Sequence, residues 1–247
     1  MTSLHELARS LLAPTRRVAR PSDVLWDARE TISTAYGPIA VWAKGTGPTV
    51  VLAHGWEADH LDMDAFVAPL VARGRRVVTF DLPAHGESSG EIATLPDLAT
   101  ALHGVADFAG GADAIVAHSV GCATTAIALA AGLQARRVAF VAPPLRYEAF
   151  VRFYAQQNGV DGDALVGVLA EMGLDVGPLD IRENAAGIDV PLLIVHSRDD
   201  RICDVRNAAK IAAVWRGSTV ELLDGLRHVR ILRDATVVSR VVEFLTD

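Results

Sequence analysis

The chain has 247 residues, enough to bury a substantial core, and its 51% hydrophobic and 21% charged residues are the balance of a globular protein. A net charge of −7 argues against a nucleic-acid or anionic-membrane surface, because phosphate binding needs clustered Lys and Arg, and the one gathering, Arg9, Arg16, Arg17 and Arg20, is interrupted by apolar residues. No apolar run approaches the roughly 18 residues of a membrane span, His5, Glu6 and Arg9 break the one stretch that could pass for a signal peptide, and two cysteines, Cys122 and Cys203, are too few for a disulfide framework and read as reduced thiols in a cytoplasmic protein.

Leu4, Leu7, Leu11 and Leu12 fall near helical spacing until Pro14 stops the pattern, which predicts a docked N-terminal helix over about 2–13. Its apolar face is short for a membrane-surface helix. Thr31 to Thr34 and Ile39 to Lys44 read as strands of a hairpin joined at Tyr36-Gly37-Pro38. Strands and helices then alternate. The apolar runs predict strands at Thr49 to Ala53, Arg76 to Phe80, Ala114 to Ala117, Val138 to Val141, Leu192 to Val195 and Thr219 to Leu223. Helical spacing predicts helices at Met63 to Ala72, Thr94 to Phe108, Ser119 to Ala131, Asp204 to Ala213 and Ala235 to Leu245. Such a series implies a single α/β domain over 1–247, with a mostly parallel β-sheet flanked by helices on both faces.

One segment breaks the rhythm. Residues of about 144–188 are longer than a sheet crossover needs, and they hold Tyr147, Phe150, Phe153 and Tyr154. Tyr147, Phe150, Val151 and Tyr154 share a helical face, which can pack on the sheet or line a pocket as a small helical cap.

The chemistry centres on Ala117-His118-Ser119-Val120-Gly121, where an apolar strand meets a small-residue helix through a tight turn. Residues larger than Ala117 or Gly121 would collide with neighbouring backbone there, and Ser119 would stand at the tip with the Val120 N–H beside it. The plainer alternative is an ordinary strand-to-helix connection with Ser119 as N-cap. Upstream, a strand runs into His54-Gly55-Trp56, where Gly55 lets the Trp56 N–H turn as a second donor for an oxyanion, with His54 as an architectural residue. Downstream, the strand ending at His196-Ser197 is followed by Asp199 and Asp200, either of which could orient an imidazole. Last, Gly225-Leu226-Arg227-His228 presents His228 from a short loop, suited to a base that must reach both a nucleophile and a leaving group.

These segments, together with Asp81-Leu82-Pro83-Ala84-His85-Gly86-Glu87-Ser88, resemble an α/β-hydrolase fold serine hydrolase over about residues 31 to 247, with the cap least matched. The resemblance implies Ser119 as nucleophile, His228 as base and the Trp56 and Val120 N–H groups as oxyanion hole. It favours Asp200 as the acid, because the family's acid stands three positions after a small residue, here Ser197 in place of the usual Gly. His85 and Ser88 match a loop kept for structure. Haloalkane dehalogenases and epoxide hydrolases of the family place Asp where Ser119 stands, so an acyl-enzyme is implied instead. The expected activity is hydrolysis of a small to medium carboxylic ester, with Trp56, Tyr147, Phe150 and Tyr154 as candidate pocket residues. Thioesterase, peptidase or perhydrolase chemistry on the same site, or a non-catalytic ligand-binding member, are the alternatives. No cofactor, metal, nucleic acid or stable membrane insertion is expected.

Overall fold

The computed structural model describes residues 3–18, 20–177 and 179–247. Thr2, in the expected first helix, and Pro178, in the expected cap, lie outside them. Ser3 and Glu6 exchange side-chain and backbone hydrogen bonds in a capping box, so helix α1 starts cleanly and runs Leu4–Leu12, burying Leu7, Ala8, Leu11 and Leu12. A hairpin of β1 (Ala28–Ser33) and β2 (Pro38–Lys44) follows. The exposed Arg29 and Glu30 extend β1 beyond its expected start at Thr31; charged residues suit an edge strand and hide it from an apolar-run search.

The remaining strands are β3 (Thr49–Ala53), β4 (Arg76–Phe80), β5 (Ala114–His118), β6 (Arg137–Val141), β7 (Leu192–Ser197) and β8 (Ser218–Leu223). Between them lie α2 (Val67–Ala72), α3 (Leu95–Phe108), α4 (Val120–Ala130), α5 (Tyr147–Gln157), α6 (Gly162–Glu171), α7 (Ile181–Asn184) and α8 (Arg206–Ala212), and α9 (Ala235–Thr246) closes the chain. The helix expected from Met63 is instead a 3₁₀ segment, His60–Phe66, leading into α2. Pro69 explains the break: it has no N–H to offer Ala65, and its ring would strike that carbonyl, so it is tolerated only in the first turn of a new helix.

The eight strands order as β1-β2-β4-β3-β5-β6-β7-β8, antiparallel from β1 to β4 across β2 and parallel thereafter. Side chains alternate across the sheet. In β3, Val51 and Ala53 join a core shared with α3, α4 and α8, whereas Val50 and Leu52 face the other core with α2 and α9. After β3 the chain steps to β4 on one side and later to β5 on the other. The crevice at the C-terminal ends of β3 and β5 is therefore the topological switch point, where sheets of this kind bind ligands.

The segment between α1 and β1 ties several rim elements together. The Arg16 guanidinium donates to the carbonyls of His85, Gly86, Ser88 and Gly90 beyond β4. Arg17 and Arg20 pair with Asp62, and Arg20 also with Asp59, beyond β3. Between β6 and β7, α5 and α6 pack together; Tyr147, Val151 and Ala155 of α5 turn into the core, and the Tyr154 hydroxyl donates to Ser10 of α1 at 3.1 Å.

Candidate active site

Ser119 joins β5 to α4 with φ 50° and ψ −122°, a backbone state that costs a non-glycine residue on the order of 1–3 kcal/mol. Gly121 makes the close crossing possible: a Cβ there would sit 2.6 Å from the Ala53 carbonyl oxygen and 2.7 Å from that of His54. The Ser119 side chain forms no cap to α4. Its Oγ lies 3.0 Å from His228 Nε2 instead, so the N-cap alternative does not describe this serine.

His228 Nδ1 is 2.7 Å from Asp200 Oδ2. With Nδ1–H donating to the carboxylate, Nε2 is left as an acceptor for the Ser119 hydroxyl. The N–H groups of Ile202 and Cys203 donate to Asp200 Oδ1 at 2.8 and 3.0 Å, and the Asp200 side chain is fully buried. Burial opposes its ionisation, but hydrogen bonds from His196 and His228, the nearby imidazole charge and the Cys203 N–H outweigh it and hold the carboxyl well below the usual range.

Asp199, the other candidate acid, turns away from His228. It accepts from the Ser197 hydroxyl and from the Arg227 N–H at 3.1 Å, while the Leu226 N–H donates to Ser197 Oγ at 3.1 Å. Ser197 and Asp199 thus clip the loop that carries His228 onto the end of β7. A second clip comes from His118, whose Nε2 lies 2.9 Å from the His228 carbonyl oxygen. Burial and the neighbouring His228 push the His118 pKa down to about 3, so its ring is neutral and donates through Nε2.

On the other side of the crevice, the Leu82 N–H donates to His54 Nε2 at 2.9 Å, so His54 carries its proton on Nδ1 and donates it to the Gly55 carbonyl at 2.7 Å. A trans peptide places the Trp56 N–H opposite that carbonyl, and a Cβ on Gly55 would lie 3.1 Å from the Ser119 Cβ. Among the described residues, neither the Trp56 nor the Val120 N–H donates to a protein acceptor. Asp81 takes the His60 N–H and ring and the Glu87 N–H, Ser88 bonds the Asp81 carbonyl and the Ala40 N–H, and His85 packs edge-on against Trp56 at 4.9 Å. That loop is occupied with its own support.

The candidate pocket aromatics divide. Trp56 is half-buried beside His85. Tyr147 is buried against Phe150, with ring centroids 5.8 Å apart, and Phe150 remains 39% exposed. Tyr154 spends its hydroxyl on Ser10 of α1. Two neighbours escaped sequence reasoning. His196 reaches Asp200, and the buried Cys203 thiol, pushed up to about 12 by burial, lies against the Ser119 hydroxyl. A histidine within an apolar strand was the available signal for the first; nothing local marks the second.

A hydroxyl, an imidazole and a carboxylate linked in this order can pass a proton from the hydroxyl as it attacks a carbonyl carbon. Among the described residues no group of three or more His, Cys, Asp or Glu has the arrangement of a metal site, and no helix is long and apolar enough to cross a membrane. A family model described as "Alpha/beta hydrolase family" matches residues 50–241. Solved structures that the chain resembles include an esterase from Pyrococcus furiosus, at 20% identity over 95% of this chain and 96% of that one with a TM-score of 0.75. An esterase from Exiguobacterium antarcticum matches at 16% identity over 88% and 99% with a TM-score of 0.71. A bromoperoxidase from Bacillus anthracis matches at 20% identity over 89% and 100% with a TM-score of 0.69. No curated protein matches the sequence.

Proposed function

Since the chain belongs to the alpha/beta hydrolase family, we propose that it is a serine hydrolase that cleaves small to medium carboxylic esters through an acyl-enzyme. The observation that carries the proposal is the unbroken relay of Ser119 Oγ to His228 Nε2 at 3.0 Å and His228 Nδ1 to Asp200 Oδ2 at 2.7 Å. In the first half-reaction His228 takes the Ser119 proton as Oγ bonds to the ester carbonyl carbon. The carbonyl oxygen becomes an oxyanion held by the Trp56 and Val120 N–H groups, whose free donors support that role. As the tetrahedral intermediate collapses, the carbon–oxygen bond to the alcohol breaks and His228 returns the proton to the leaving oxygen. Water then repeats the sequence against the acyl group and restores Ser119. Asp200 holds the Nδ1 proton in place and stabilises the imidazolium. Trp56 and Phe150, aromatic and partly exposed, would line the acyl side.

A fluorophosphonate probe tests the reading directly: the wild-type chain labels at Ser119, and Ser119→Ala does not. On a ladder of p-nitrophenyl esters, Ser119→Ala and His228→Ala should lower kcat by about 10⁴ to 10⁶ with the fold retained. Absence of labelling would turn the chain into a ligand-binding member of the family. Turnover of thioesters or amides alone would keep the relay and replace the substrate class.

A further inference from the structure

We propose that His196 is a positioning residue for this relay, a role that rests on the serine-hydrolase reading. His196 is fully buried in β7, and its Nε2 lies 3.1 Å from Asp200 Oδ2 and 3.1 Å from the Cys203 carbonyl oxygen. Both neighbours are acceptors, so Nε2 carries the hydrogen and shares it between them. Nδ1 is then bare, and it is buried without a partner among the described residues. An apolar side chain, such as its strand neighbours Ile194 and Val195 carry, would fill this position without a bare ring nitrogen. The Nε2 contact is what the histidine adds.

Asp200 Oδ2 is the same oxygen that accepts from His228 Nδ1, so two imidazoles converge on one oxygen. The base must shift between Ser119 and the leaving group during turnover. While the His228 ring shifts, its bond to Oδ2 weakens. The His196 bond stays, and with the Ile202 and Cys203 N–H groups on Oδ1 it prevents the carboxylate from rotating. The same imidazole holds the Cys203 carbonyl while Asp200 holds the Cys203 N–H, so the residue whose thiol abuts Ser119 is fixed at both ends. His196 therefore sets the Asp200 plane and the wall beside the nucleophile without touching substrate.

The test compares His196→Leu, which removes the donor, with His196→Gln, whose side-chain amide can reach the Nε2 position. In the full chain on a short p-nitrophenyl ester, His196→Leu should lower kcat by about 10- to 100-fold, the cost of losing an outer hydrogen-bond partner of a working group, with KM within about threefold. His196→Gln should recover kcat to within about threefold of wild type. Nitrogen-15 NMR of the imidazoles in the unmodified chain should find His196 as the Nε2–H tautomer, which decides the matter even where His196→Leu does not fold. An Nδ1–H tautomer, a folded His196→Leu with wild-type kcat, or a Gln variant as slow as the Leu variant would each overturn the proposal. Failure of the fluorophosphonate to label wild-type Ser119 would instead overturn the serine-hydrolase reading and leave the tautomer standing.

Discussion

Asp199 and Asp200 are consecutive, yet one carboxylate faces the Arg227 N–H and the Ser197 hydroxyl while the other faces two imidazoles and two backbone N–H groups. Replacing Asp200 by Asn keeps the shape but offers an amide N–H to His228, which favours the tautomer with its proton on Nε2 and none to accept from Ser119. Asp200→Asn is therefore expected to lower kcat/KM on the order of 10⁴-fold. Asp199→Asn loosens only the clip on the His228 loop and should cost no more than about tenfold. Steady-state ester hydrolysis by the two variants checks this, and the reverse order would hand the acid's role to Asp199. At this scale the convergence of Ser119, His228 and one of the paired acids was legible, because each follows a recognisable apolar strand. The choice between neighbouring acids was not legible from the residues alone, since side-chain direction has no fixed period once a strand has ended; only the resemblance favoured Asp200. His118 and His196 were harder still: their roles depend on loops that come from 110 residues away for His118 and from the turn after β7 for His196.

Arg16, Arg17 and Arg20 show what side chains can do outside regular structure. Asp62, with only 5% of its side chain exposed, rests between Arg17 and Arg20, and although burial opposes its ionisation, the two guanidiniums keep its carboxyl below the usual range. Arg20→Ala would leave that carboxylate with one partner and Asp59 with none of its guanidinium contacts. The expected loss is about 1–2 kcal/mol, below the figure for a fully buried pair because the guanidinium is partly exposed. Urea unfolding should show a lower midpoint with an unchanged slope; an unmoved midpoint would mean that these side chains merely lie on the surface. Composition gave no hint of this latch, because its pairs span 39 to 45 residues and local periodicity carries no information over that distance. The strands from β3 to β7 were legible for the opposite reason. Continuous burial demands continuous apolar runs, whereas the charged start of β1 and the 3₁₀ segment before Pro69 follow no such pattern.

Across the whole molecule, among the described residues, the buried histidines collect at one end of the sheet. His54 follows β3, His85 follows β4, His118 ends β5, His196 lies near the end of β7, and Asp200 stands just beyond it. Alternation of strands and helices made the parallel sheet legible, but not this concentration, which arises only when the strand ends are brought side by side. It carries a cost in acid. Burial, the leading cause, pushes His85 and His118 from 6.5 to about 3 and also lowers His54. Because the folded pKa of each lies below the unfolded one, the unfolded chain takes up these protons first. The stability these neutral rings allow is whole above pH 6.5 and drains as pH falls from there toward about 3. The His85 and His118 rings each remove on the order of 1 kcal/mol per pH unit within that window. Asp81 and Asp200, held below the usual carboxylate range, add a second loss that begins only below about pH 4. Urea midpoints should accordingly be level between pH 8 and 7 and fall steadily from about pH 6.5, well before Asp81 and Asp200 are protonated. Replacing His85 by Gln should make that decline shallower, since its proton uptake is gone. A midpoint that stayed level down to pH 4.5 would show that the rings at the sheet's C-terminal end take up protons without unfolding the chain.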